Sequence, residues 1–182
     1  ATGDVGLTSQ KDVKVDSSVT SETSEINLEA QGSIVQGSAS RIIAHGDVQA
    51  TAGNGSISME DGAVTEAETG DITYTARGDI SLGRLVTSTD QGRQVVVISE
   101  TGSILDSGDA GLYDITTHDL LLSAATGMGY KDGGSDALEL QVTRLDAVNT
   151  SSGAILLENH GDLGLEDLNG DGASVVNRGG NI

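Results

Sequence analysis

The sequence predicts an all-β fold: a right-handed parallel β-helix, or solenoid, with three short strands per coil and about 24 residues per coil. Three observations predict it. A tripeptide, Gly-[Asp/Ser/Ala/Asn]-[Val/Ile/Leu], recurs eleven times between Gly3 and Ile182. A longer period overlies it, because Gly32, Gly55, Gly78 and Gly102 stand 23, 23 and 24 residues apart. Within each unit apolar and polar residues alternate, the period of a strand and not of a helix.

The tripeptide marks turn and strand. Neighbouring units lie eight residues apart at Gly62, Gly70 and Gly78, and again at Gly153 and Gly161, so three units make one coil. Gly supplies the positive φ of a tight turn, and the Asp or Asn beside it bonds its own backbone. In the unit opened by Gly70, Ile72, Tyr74 and Ala76 share one face. In the next, Ile80 and Leu82 share a face and Ser81 takes the other. The segments Asp119–Ala124 and Ala137–Val142 alternate similarly, as do Val13, Val15, Val19, Ile26 and Leu28 in the less regular first 31 residues. No helical stripe of twelve residues is present.

Parallel strands normally need helical crossovers. A solenoid avoids them by winding the chain around a shared core, and the usual crossover preference makes it right-handed. The 182 residues give seven to eight coils, a body about 35 Å long at roughly 4.8 Å per coil. Two stretches break the rhythm and read as loops, 106–118 and 127–137. No linker divides the chain, so residues 1–182 form one domain. Ala1 opens without a leader, and Gly180-Asn181-Ile182 begins another unit. Both ends therefore read as cut from a longer coil or as stacking faces.

Composition narrows the function. Acids outnumber bases 28 to 9, a net charge of −19, and Cys, Pro, Trp and Phe are absent. Without Cys there is no disulfide scaffold and no Cys-ligated zinc. Without a basic footprint there is no nucleic-acid partner. The only aromatics are Tyr74, Tyr113 and Tyr130, too few for the usual aromatic anchors of a sugar groove. No apolar run suits membrane insertion.

The sharpest local motif is Asp167-Leu168-Asn169-Gly170-Asp171-Gly172. It matches the first half of a calcium loop, with oxygen-bearing side chains at positions 1, 3 and 5 and Gly at 6. Position 12 falls on Arg178, so a complete EF-hand is excluded. Two readings remain: a turn between solenoid strands, or a weak calcium site at Asp167, Asn169 and Asp171 that borrows Glu166 or Asp162 from a neighbouring coil. No cofactor is required otherwise. His45, His118 and His160 read as solvated turn residues, the first two about three coils apart and too distant to share a metal. His118 and Asp119 are neighbours on a strand and are expected to point to opposite faces. The pairs Thr73/Thr75 and Thr87/Thr89 stand fourteen residues apart, so they form no flat Thr rank.

Several of these segments resemble the repetitive passenger regions of bacterial filamentous-haemagglutinin-like exoproteins. They are the tandem Gly-Asp-Ile units at 70–82; Gly102-Ser103-Ile104-Leu105-Asp106 leading into Asp119–Ala124; and Ala137–Val142 continuing into Gly153–Asn159. The resemblance covers about residues 32–182. It implies a large secreted or surface-displayed parallel β-helix, often an adhesin, in which the repeats are scaffold. The family's amino-terminal secretion domain is not among these residues, and no catalytic motif carries over.

The expectation is therefore a non-catalytic stalk or fibre segment of an extracellular or cell-surface adhesin-like protein. Its partners are neighbouring β-helix coils or copies of itself end to end, and an unidentified surface receptor or glycan. The alternatives are a self-assembling filament subunit and a carbohydrate-active β-helix enzyme.

Overall fold

Alternation turns directly into stacking. Ile26, Leu28 and Ala30 are buried in one strand, and Ile72, Tyr74 and Ala76 in another two coils on, while the residues between them face the other way. The computed structural model describes residues 3–108, 113–129 and 136–180. The first coil holds β1 (Val5–Ser9), β2 (Val13–Val15) and β3 (Ser18–Ser21). The second holds β4 (Ile26–Ala30), β5 (Ile34–Gln36) and β6 (Arg41–Ala44), and the third β7 (Val48–Ala52), β8 (Ile57–Met59) and β9 (Val64–Ala67). The fourth holds β10 (Ile72–Ala76), β11 (Ile80–Leu82) and β12 (Arg84–Val86). The fifth begins with β13 (Gln94–Ser99) and β14 (Ile104–Asp106). β15 (Ile115–Ala124) then rounds the corner into the sixth coil, and β16 (Leu138–Asn149) rounds it again into the seventh. β17 (Leu157–Asn159), β18 (Gly164–Leu165) and β19 (Val175–Asn177) complete the chain.

Every strand pairs in parallel with its counterpart one coil away. Val5 stands against Ile26, Ile26 against Val48, Val48 against Ile72 and Ile72 against Val95, offsets of 21, 22, 24 and 23 residues. The result is a β-solenoid of about seven turns with about 23 residues per coil and three strands per turn. The first and third strands of the coils form one fourteen-stranded sheet, joined through β15 and β16. The middle strands form a second sheet in the order β14-β11-β8-β5-β2. Met128 and Ile155 continue that second face as single parallel bridges.

The core is a set of columns. Ile34, Ile57, Ile80 and Ile104 stand one above another, all with no exposed surface. Each such aliphatic contributes roughly 1.5–3 kcal/mol relative to leaving it in water. Tyr74 also lies inside, and its hydroxyl is satisfied there. Gln36 donates to it at 2.6 Å, and the Thr65 hydroxyl lies 2.7 Å away. Burial pushes this phenol up to about 12, against the two bonds.

The recurring Gly is used differently from the turn reading. Gly32, Gly55, Gly78 and Gly102 do not adopt positive φ; they are where stacked backbones come closest. A Cβ on Gly55 would lie 2.6 Å from the Gly32 backbone, and one on Gly70 2.3 Å from that of Gly46. The Asp that follows bonds the next coil, not its own backbone. Asp47 accepts the Asp71 N–H at 2.9 Å, Asp71 that of Gln94 at 2.9 Å, and Asp79 that of Ser103 at 2.8 Å. Positive φ occurs at other members of the repeat, such as Gly62 at 88° and Gly153 at 89°, and at glycines outside it, such as Gly92 at 86°.

The expected loops also shrink. Of 106–118, Ile115–His118 belong to β15, and 109–112 lie outside the described residues. Of 127–137, Met128 is fully buried in the second face, and 130–135 lie outside the described residues.

Candidate functional site

Polar chemistry gathers where the third strand of one coil meets the first strand of the next. All three histidines fall on this corner, after β6, within β15 and after β17. His45 and His160 are exposed, as a turn residue should be, and His45 Nδ1 lies 3.1 Å from Glu68. His118 is buried. In the early coils the corner is a short turn. In coils five and six it has no turn, because β15 and β16 run straight around it. The most deeply buried side chains there step by three residues instead of two, from Thr117 to Leu120 across the less enclosed His118 and Asp119, and from Val142 to Leu145. Two consecutive residues therefore face out together. This overturns the expectation that His118 and Asp119 point apart: His118 Nδ1 lies 2.5 Å from Asp119 Oδ1.

Arg144 lies one coil on, directly opposite Asp119. Its Nε donates to Asp119 Oδ1 at 2.6 Å and its Nη2 to Oδ2 at 2.5 Å, a two-pronged grip on one carboxylate. Its Nη1 donates to Glu166 at 2.8 Å. Burial alone would raise the Asp119 carboxyl; the bonds from Arg144 and His118 outweigh it and hold the group below the usual range. The bonds to Asp119 and Glu166 push Arg144 up. His118, Arg144 and Glu166 line an open cleft of about 690 Å³, together with Gln91 and Gly92 and with Asp162, Leu163 and Gly164. Its lining includes Thr143 but no Ser, Cys or Lys. The carboxylate fixes the imidazole and is itself committed to an arginine, so the arrangement orders a corner and offers hydrogen-bonding groups to a polar ligand.

The predicted calcium loop lies beside this corner. β18 pairs with Arg144 and Leu145, and β19 with Ala147 to Asn149. Residues 166–174 thus form an excursion that leaves one strand position and returns to it, opposite the single residue Asp146. Asp167, Asn169 and Asp171 are brought together and are held by bonds from loop N–H groups. Asp167 accepts from Gly170, Asp171 and Gly172, Asn169 from Asp171, and Asp171 from Ala173. Glu166 is paired with Arg144, and Asp162 lines the cleft. The residue under the loop is Asp146. The three-residue step in the sequence was the signal for His118, Asp119 and Arg144; Asp146 had none, because its covering loop is nine residues long and out of period.

A third polar cluster lies where coil five turns into β15. Asp106 and Asp114 are buried, and Asp114 Oδ2 accepts the Glu139 N–H at 2.9 Å. Burial, then the charges of Asp106 and Glu139, push Asp114 up to about 8 against that bond. Among the described residues no three His, Cys, Asp or Glu side chains are placed to hold a metal ion. The Thr pairs form no rank, since Thr87 turns inward and its hydroxyl donates to Thr117 at 2.8 Å.

The fold defines the chain as a parallel β-solenoid protein. Compared with models of known protein families, with curated proteins and with solved structures, it matches none.

Proposed function

We propose that this chain is a structural segment, a length of β-helical stalk or fibre from a secreted or cell-surface adhesin-like protein of the filamentous-haemagglutinin-like kind. The observation that supports this reading is the in-register continuity of the coils: one hydrophobic cluster runs from Val15 to Ile155, and the first four coils carry the same strand pattern. Such a body functions by its length and stiffness, and its coils are interchangeable. Deleting residues 26–47, one coil by the register of Ile26 against Val48, tests that directly. The shortened chain is expected to fold cooperatively with unchanged β content and to be shorter by about 4.8 Å in X-ray scattering. A chain that no longer folds would mean that each coil is individually required and would overturn the spacer reading.

A second reading, end-to-end assembly into a filament, draws on the two ends. Leu7 is 38% exposed on the first coil, and Leu163 and Leu165 are 38% and 56% exposed on the last. Head-to-tail contacts of this sort do not close, so they give fibres. The charge of −19 opposes contact, so light scattering should rise with protein concentration and with salt; a monomer throughout would remove this reading.

A further inference from the structure

The excursion over Asp146 carries the inference. Asp146 occupies an outward-facing strand position, where a carboxylate is ordinarily solvated, yet it has no exposed surface. One oxygen, Oδ2, accepts the N–H groups of Leu168 at 2.9 Å and Asn169 at 3.1 Å. The other, Oδ1, is buried and has no partner. Leaving such an oxygen bare is unfavourable, and chains of this kind usually satisfy it. The loop that covers it presents Asp167, Asn169 and Asp171 at alternate positions, with Gly170 and Gly172 at φ of 80° and 93° providing its sharp bends.

We propose that this excursion is a calcium site in which Asp146, from the neighbouring coil, supplies the acid that the loop lacks at its twelfth position. The donor set is entirely oxygen: carboxylates of Asp146, Asp167 and Asp171, the Asn169 amide and main-chain carbonyls of the loop. Hard, flexible oxygen sites of this composition suit Ca²⁺, whereas Mg²⁺ demands a tighter octahedron and zinc prefers nitrogen and sulfur. Among the described residues no three acids are placed to hold a metal ion, so the proposed site requires Asp167 and Asp171 to close towards Asp146. That rearrangement places the affinity at the weak, extracellular end of the calcium range, about 10⁻⁴–10⁻³ M. Binding would clamp the loop between β18 and β19 to β16.

The test is calorimetric titration of the whole chain with CaCl₂, and with MgCl₂ at matched ionic strength, alongside amide NMR spectra. One saturable Ca²⁺ site is expected, with shifts concentrated in residues 166–174 and Asp146, and with Mg²⁺ at least about tenfold weaker. Asp146→Asn and Asp171→Asn should each weaken Ca²⁺ by about tenfold or more, while Glu22→Gln, which removes the same charge at the far end, leaves it unchanged. No saturable binding at about 10 mM Ca²⁺, equal binding of Mg²⁺, or unchanged affinity in a folded Asp146→Asn chain would each overturn the proposal. Should Asp146→Asn fail to fold, Asp171→Asn on the exposed loop decides alone: retained affinity overturns the site, lost affinity supports it.

Discussion

The first four coils and the later ones are built from the same kind of strands but obey different rules at their corners. In coils one to three the corner is a short turn, and through the first half a Gly fits under the previous coil and an Asp or Ser spans to the next. In β15 and β16 the strand runs through the corner, the alternation slips by one residue, and two consecutive polar side chains share one side. The difference teaches that regularity produces scaffold and that its interruptions produce chemistry. His118, Asp119, Arg144 and Asp146 all lie where the repeat is broken, and nothing comparable occurs between Ile26 and Val86 apart from the enclosed Gln36–Thr65–Tyr74 trio.

The largest expected effect breaks the regular half. Ile80→Asp places an unpaired charge in a fully buried column and should destabilise by more than about 4 kcal/mol, enough to unfold the chain. Ser81→Asp, one residue away and facing out, should change stability by less than about 1 kcal/mol. Thermal melts that ranked the two the other way would invert the strand register.

Next comes the ladder of close approaches. Gly70→Ala drives a methyl to within 2.3 Å of the Gly46 backbone and should cost about 1–3 kcal/mol. Gly6→Ala meets nothing within 4 Å and should be neutral or stabilising by up to about 1 kcal/mol. Equal denaturation midpoints for the two would show that the coils are not packed as closely as described.

The irregular half is sharpened by its carboxyls. Asp119→Asn removes the anion that holds both Arg144 and His118 and should cost about 1–3 kcal/mol, with the loss largest in hydrogen exchange around 117–120 and 143–145. Loss spread evenly over the chain would deny the corner its local role. Asp114 acts through pH, and its effect is visible as a slope. The folded chain keeps its proton up to about pH 8, whereas the unfolded chain releases it near the ordinary 3.8. Between those values the folded state binds more protons, so this group's contribution is full below the lower value and is lost as pH rises through about 8. Asp114→Asn should flatten that part of the stability profile; an unchanged profile would place the titration elsewhere.

Much of the regular half was legible because its signal is local. The alternation of Ile72, Tyr74 and Ala76 and the 23-residue step from Gly55 to Gly78 state strand, face and coil without reference to anything distant. The reason for the Gly was not legible: turn and close approach leave the same residue in a sequence, and only the stacked neighbour tells them apart. The His118–Asp119 pair was misread because strict alternation was carried across a corner, although Val142 and Leu145 show the same three-residue step. Asp146 was hidden because its partners lie beyond an excursion that ignores the period.

The central claim, parallel coils in register, is tested most directly by NMR contacts at the middle of the stack. Tyr74 should show backbone proton contacts to the strand around Ala50 on one side and to that around Val97 on the other, both in parallel register. Matching contacts should link Leu122 to Val97 and to Ala147. Antiparallel contacts, or a Tyr74 strand paired on one side only, would contradict the solenoid.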